Sequence, residues 1–505
     1  MGSIFISLVP PVLFDLLLEA GTSEIQMEPV SERPSELNSD PTLWTVNGQY
    51  PAPIIQANYG DRILINVTNK LGDASLARHK SSKGHKFYDG PVGVTQCPIP
   101  NGVSFLYNFT LDQYGTYWYH SHIIGQIIDG LKGPLIVHFP NDPYLKEYDF
   151  EYVMTLSDWY HTPSGILLPL YRTPGYIGFE PVPNSGEISG LGQYDCNAAP
   201  KNSKCNSNNI VATYVVKKGK KYRFRIINMS TESHFILSFD EHPLMVIEAD
   251  GDLIKPVTLN TLPINVAQRY SVILNANKPI DNYQIRAKLS TYTRIDNNTI
   301  NYNNSLNNNI VGILRYEGAK DNLPTSNAYP LNQSEECRDI NANFLRPYYE
   351  INVPRNIITK INLFVAFTVV SSLKFVQINN SSFVVPTLNY PTNQRIIQGV
   401  DPYRLPQYDN AYVYGCNYCE DAAVDIYITG SFFNLHPMHM HGHKFFVIYQ
   451  GENNTGTQPP EESSFNLIDP PYRDVVTVQP NSTTVIRYFV NNPGVWLFHC
   501  HIHGT

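Results

Sequence analysis

Apolar and polar residues alternate with a period of two in short runs along almost the whole chain. The runs include "RILINVTN", "SFLYNFTL", "GPLIVHF", "YRFRIIN", "RYSVILNA", "VDIYITG", "KFFVIYQ" and "TVIRYFV". In such a run successive side chains point to opposite faces, so each reads as a strand with one buried face. Clusters of Gly, Pro, Asn and Asp separate them at the spacing of sandwiches and barrels. Helical periodicity of useful length is absent. Composition points the same way: 34 Tyr, 38 Pro and only 16% charged residues favour strands and turns over helices. The fold class expected is all-β.

At 505 residues the chain is too long for one core. "HFPNDPYLKEYD" at 138–149 reads as a first linker and the Asn-rich stretch 296–345 as a second. Three β-sandwich domains are expected, at 25–140, 141–320 and 321–505, behind an N-terminal segment 1–24. That segment, "MGSIFISLVPPVLFDLLLEAG", is apolar and ends in small residues, as a secretory leader does. It lacks a basic start, and Asp15 interrupts it. Asn-x-Ser/Thr sequons at Asn66, Asn108, Asn228, Asn332, Asn453 and Asn481 add weight to export and glycosylation.

The net charge of −8, with no basic run and no phosphate-binding glycine loop, argues against a nucleic-acid partner. No apolar stretch reaches the ~18 residues of a membrane span. Seven cysteines leave six if Cys500 is kept for a metal: Cys97, Cys196, Cys205, Cys337, Cys416 and Cys419. Six allow three disulfides in an oxidising compartment, in a pairing that sequence does not decide. "CNYC" at 416–419 has no second such pair and reads as a loop disulfide or two thiols rather than a zinc site.

The histidines change the picture. They cluster as "WYHSH" (His120, His122), "HPMHMHGH" (His436, His439, His441, His443) and "HCHIH" (His499, His501, His503). In a strand, residues i and i+2 share a face, so each H-x-H presents two imidazoles together. In H-C-H the cysteine points the other way. One strand can then hold one metal through Cys500 and touch another through His499 and His501. A path of a few covalent bonds joins the two, as electron transfer requires. Imidazoles with a single thiolate suit copper better than structural zinc.

Together with "DGPVGVTQCPIPNGVSFLYNF", "VAQRYSVILNAN" and "NPGVWLFHCHI", these motifs resemble the multicopper oxidases, in particular the fungal laccase and ferroxidase branch. The resemblance runs from "LWTVNGQYPAPII" at 43 to the C-terminus. It implies three cupredoxin-like (Greek-key) domains and copper of types 1, 2 and 3. Type 3 copper would use His79, His120, His122, His441, His499 and His501; type 2 would use His439; type 1 would use His436 and Cys500. Asp89 matches an acid that the family places near the cluster for proton delivery. Glu232 matches the carboxylate with which laccases hold and deprotonate a phenol, and Glu180 an acid with which ferroxidases bind Fe(II). The implied reaction oxidises phenols or related reductants one electron at a time and reduces O2 to water, in a secreted monomer.

The sequence departs from the family twice. In "SLARHK", Ala77 stands where the second type 2 histidine belongs and Arg78 where the family has tryptophan, with His85 further along the loop. At the end, Thr505 occupies the position of the last type 1 histidine, and the third domain is expected to be truncated before the axial residue and final strand. His503 is the nearest substitute. With one type 1 and one type 2 ligand missing, weak copper binding and slow O2 reduction are expected. The rival readings are a ferroxidase and a degenerate cupredoxin protein that binds copper partially or not at all. A zinc hydrolase lies further off, since it leaves His-Cys-His unexplained.

Overall fold

The computed structural model describes residues 22–30, 37–38, 43–71, 77–78, 87–123, 125–173, 181–199, 204–205, 210–290, 306–330, 338–370, 373–380, 390–399, 422–430, 435–451 and 460–502. Among these the architecture is strand upon strand. The two α-helices, Ser164–Tyr171 and Thr392–Ile397, are short connectors.

The first domain stacks two four-stranded sheets. In one, Thr22–Val30 lies between Leu43–Val46 and Arg62–Asn69, with Ser104–Thr110 beyond. In the other, Ile55–Asn58, Lys132–His138, Gly115–Ser121 and the two-residue strand Ala77–Arg78 follow in order. Alternation does the work expected of it: in Arg62–Asn69, Ile65, Val67 and Asn69 are buried while their neighbours are not. Ile65 and Val67 meet Tyr107, Tyr117, Tyr119 and Leu135 in one core. The first strand begins at Thr22, a few residues before the expected boundary at 25. The leader-like residues 1–21 lie outside the described residues.

The middle domain joins a six-stranded and a five-stranded sheet around the largest core, which includes Phe224, Phe235, Phe239, Tyr270 and Leu314. Its central strand Lys221–Asn228 is buried on both faces, so alternation here separates apolar from ionic burial rather than core from solvent. Phe224 and Ile226 enter the core, whereas Arg223 and Arg225 turn the other way and meet Asp142, Glu151 and Glu248. The buried guanidinium and carboxylate groups are tolerable because they are paired.

Two expectations are corrected. The stretch 296–345 is not all linker: Asn309–Tyr316 is a strand that pairs with both Asn282–Ser290 and Thr213–Val216. Ile340 and Leu345, past the expected boundary at 320, still pack in the middle core. Asn-rich composition hid a strand whose Ile310, Leu314 and Tyr316 are inward. The sequon at Asn228 is also structural, since its buried amide donates to the carbonyls of Ser233 and Ile264. Cys196 and Cys205 form a disulfide, while Cys337, Cys416 and Cys419 lie outside the described residues.

The third domain has a six-stranded sheet in which Ala422–Gly430 and Thr483–Phe489 are central. Facing it is a three-stranded sheet, Val475–Val478, His436–Met440 and Phe498–Cys500. This small sheet carries the histidines. Among the described residues no helix is long and apolar enough to cross a membrane.

Candidate metal centre

Phe498–Cys500 runs antiparallel to His436–Met440, with Met438 opposite Cys500 and His439 opposite His499. Residues directly opposite on paired strands share a face, and the face alternates along each strand. One face therefore carries His436, Met438 and Cys500. The other carries His439 and His499, with His441 and His501 following. On the first face Cys500 Sγ lies 3.7 Å from His436 Nδ1, and Cys500 and Phe498 pack against the apolar cluster that holds Met438, Met440 and Ile486.

The second face meets the first domain. Gly115–Ser121 brings in His120, and His122 follows one residue past its end. His122 then sits 5.3 Å, ring centre to ring centre, from both His441 and His499. His120 sits 5.2 Å from His501, and His439 is 5.0 Å from His441 and 5.8 Å from His501. Six imidazoles from two domains thus converge on one point, four of them buried and His122 and His499 half-buried. Trp118, two residues before His120, lays its ring 4.4 Å from that imidazole and 5.3 Å from His501.

Hydrogen bonds fix which nitrogen faces inward. His120 Nδ1 donates to the Ser121 carbonyl, His499 Nδ1 to the Cys500 carbonyl and His439 Nδ1 to the Asp474 carbonyl, each at 2.8 Å. His441 Nδ1 donates to Asp89 Oδ2 at 2.7 Å, both side chains being fully buried. A ring whose Nδ1–H is donated carries its lone pair on Nε2. His441 Nε2 and His499 Nε2 then face each other at 3.1 Å. Two lone pairs that close repel unless a cation lies with them. Ligand atoms of His122, His441 and His499 all fall within 4.8 Å of one another, near enough to hold a metal ion. The donor sets fit copper: imidazole nitrogens on one face, and a thiolate beside an imidazole on the other.

Of the residues singled out from sequence, the structure gathers His120, His122, His439, His441, His499, His501 and Asp89 at one place and His436 and Cys500 behind them. Ala77 and Arg78 pair with Ser121 and His120 at the edge of the histidine-bearing sheet. His79, His85, Glu180, His503 and Thr505 lie outside the described residues. Glu232 sits in the turn between Lys221–Asn228 and His234–Phe239, buried at 6% exposure. Its backbone N–H, with those of Thr231 and Ser233, is held by the Asp158 carboxylate. Sequence reasoning passed over Trp118, whose i−2 spacing from His120 was the available signal. It also passed over Asp474, whose contribution is a main-chain carbonyl that leaves no trace in sequence.

Family profiles described as multicopper oxidase match residues 30–142, 150–319 and 385–504. The chain is 35% identical over 475 residues to a laccase of Phlebia radiata, covering 90% of this chain and 82% of that protein. It is 33% identical over 472 residues to the iron transport multicopper oxidase fio1 of Schizosaccharomyces pombe, covering 90% and 70%. Among solved structures, the laccase of Botrytis aclada superposes with a TM-score of 0.78 at 31% identity, covering 97% of this chain and 86% of that one. Fet3p, described as a multicopper oxidase that functions in iron import, gives 0.79 at 28% identity, with 96% and 88% covered. With this fold and this convergence of histidines, the chain belongs to the multicopper oxidases. It is an oxidoreductase, of a family that works through copper centres of types 1, 2 and 3.

Proposed function

We propose that the protein is a secreted, laccase-like oxidase that removes single electrons from phenols and passes them to O2. The observation behind this reading is the two-faced strand: Cys500 meets His436 on one face, while His499 meets the imidazole cluster on the other. Electron entry and O2 reduction then lie a few covalent bonds apart.

Copper, when bound, supplies one-electron redox chemistry at both faces. His436 and Cys500 would hold the type 1 ion. His120, His122, His441, His499 and His501, with His79, would hold the type 3 pair, and His439 the type 2 ion. Glu232 accepts the phenol O–H proton as the electron leaves, which eases oxidation. Asp89 fixes His441 with Nε2 inward and is the carboxylate best placed to pass protons toward the cluster. Overall, four phenols lose an electron and a proton each, and one O2 becomes two waters.

Fe(II) is the second reading for the reductant, supported by the similarity to the two iron-transport oxidases and by Glu180. O2 uptake by the copper-loaded protein, with a methoxyphenol and with Fe(II) in parallel, tests the choice. Phenol-driven uptake with an intense blue thiolate-to-copper absorption supports the laccase reading. Uptake driven by Fe(II) alone replaces it with the ferroxidase. A colourless, inactive protein makes the chain a degenerate cupredoxin, as Ala77 would have it.

A further inference from the structure

Among the described residues the middle domain contributes no histidine to the cluster, yet one of its side chains touches both domains that do. Arg269 opens the strand Arg269–Asn275 and is 2% exposed. Its Nε donates to the Thr116 carbonyl at 2.9 Å. Thr116 lies on Gly115–Ser121, the strand that carries His120. The other two nitrogens form a bidentate fork on Asp474, at 2.6 Å to Oδ1 and 2.9 Å to Oδ2. Asp474 is the residue whose carbonyl takes the Nδ1–H of His439 and also receives the N–H of Met440.

Two further contacts clamp the arginine. Asp250 Oδ1 accepts the Arg269 main-chain N–H at 2.8 Å, while its Oδ2 accepts from Arg473 Nε at 2.7 Å. The Tyr117 ring lies beneath the guanidinium at 5.2 Å. A fork of this kind is planar and directional, so it sets orientation as well as distance. With burial excluding water, neither strand can slide without breaking a charge-assisted bond.

We infer that Arg269 is a positioning residue of the oxidase, holding His120 of the first domain and His439 of the third at a fixed separation across the cluster. The inference rests on the reading of the six imidazoles as copper ligands. Partners that orient ligands in this way typically change metal affinity by roughly 10–100-fold when lost. The Cys500 and His436 face points away from this clamp and depends on it far less.

The test compares Arg269→Lys, which keeps the charge but loses the fork, with Arg487→Lys. Arg487 also makes a bidentate contact, from Nε and Nη2 to Asp425 within the third domain, at 2.6 and 2.8 Å, on the opposite sheet. Copper retained against a chelator and the paramagnetic resonance of the non-blue copper are read alongside the blue absorption and the melting temperature. Arg269→Lys should lower copper retention in the cluster about tenfold and alter the non-blue signal, with the blue band unchanged. Arg487→Lys should lower only the melting temperature. Should Arg269→Lys fail to fold, Asp474→Asn takes its place with the same expectation. Equal effects of the two arginine variants on the cluster would overturn the inference and make Arg269 merely structural. A parent protein that takes up no copper on its imidazoles would instead bring down the functional reading.

Discussion

His439 and His499 stand directly opposite each other on paired strands of the third domain, their rings 5.8 Å apart. That register carries the whole arrangement. Shifting the pairing by one residue would turn Cys500 into the imidazole cluster and His499 into the apolar face. The Met438–Cys500 and Met440–Phe498 pairs on the apolar side oppose such a slip, because it would press imidazole into apolar packing and set the Phe498 ring among the imidazoles.

Holding six imidazoles this close without a cation is costly, most plainly at the 3.1 Å approach of His441 Nε2 to His499 Nε2. Copper binding should therefore stabilise the fold. At a free copper concentration ~1,000 times the dissociation constant the gain is about 4 kcal/mol. Chelation should lower the melting temperature reversibly, and calorimetry with and without copper checks this. Identical melting curves would mean that the imidazoles hold no metal.

Replacing Cys500 by Ser removes the thiolate beside His436 but leaves every imidazole nitrogen in place. The blue absorption should vanish, while copper bound by the histidine cluster stays. Phenol-driven O2 uptake should stop with it. Absorption and metal content of the Cys500→Ser protein decide the matter, and loss of all copper at once would contradict two separate faces.

For Glu232→Gln the loss should be selective. An amide keeps the size but takes no proton from the phenol, so kcat/KM for a methoxyphenol should fall by about 10²-fold. Outer-sphere reductants that carry no proton should be oxidised as before. A uniform loss across both reductant types would place Glu232 in the fold rather than at the substrate.

Glu248 is the buried hub between the first two domains. It accepts from the Thr116 N–H at 2.6 Å, Arg223 at 2.6 Å, Arg225 at 3.3 Å and Ser271 at 2.6 Å. Burial alone would raise its carboxyl, but Arg223 and Arg225 outweigh this and hold it at about 2. Glu248→Gln takes the shared carboxylate out of a buried network in which Arg223 keeps Asp142 and Arg225 keeps Glu151, so the cost is that of weakened charge-assisted bonds, about 1.5–3 kcal/mol. Denaturant titration should show the loss. An unchanged midpoint would mean that Asp142 and Glu151 alone suffice to pair the two guanidinium groups.

Much of this was legible from residues. Period-two runs revealed the strands, and H-x-H spacing foretold that His120 and His122, or His499 and His501, lie side by side. The sequence could not show that Asn309–Tyr316 is a strand, because its flanking asparagines imitate a linker. Nor could it show that Arg269 and Asp474, 205 residues apart, form one fork. Such pairs are decided by domain docking, where opposite charges with no local periodicity find each other across a buried surface. Asp89 illustrates the middle ground: its place near the cluster was expected, but its bond to His441 Nδ1 belongs to the fold.

A last prediction concerns pH. His234 opens the strand His234–Phe239 at 2% exposure, and its Nδ1 has no hydrogen-bond partner among the described residues. Burial lowers its pKa from the ordinary 6.5 to about 4, with Asp339 and Asn265 opposing only partly. Released by unfolding, the imidazole takes up its proton at the higher pH, so between 6.5 and 4 the unfolded chain binds more protons than the folded one. Stability is therefore fully present above pH 6.5 and falls as the pH drops toward 4, by about 3 kcal/mol in all from this residue. His234→Asn removes the titrating group, and its denaturation midpoint should depend less steeply on pH across that window. Parallel pH profiles for the variant and the parent would show that His234 charges freely within the fold, and the acid sensitivity of the middle domain would then have to come from its carboxylates.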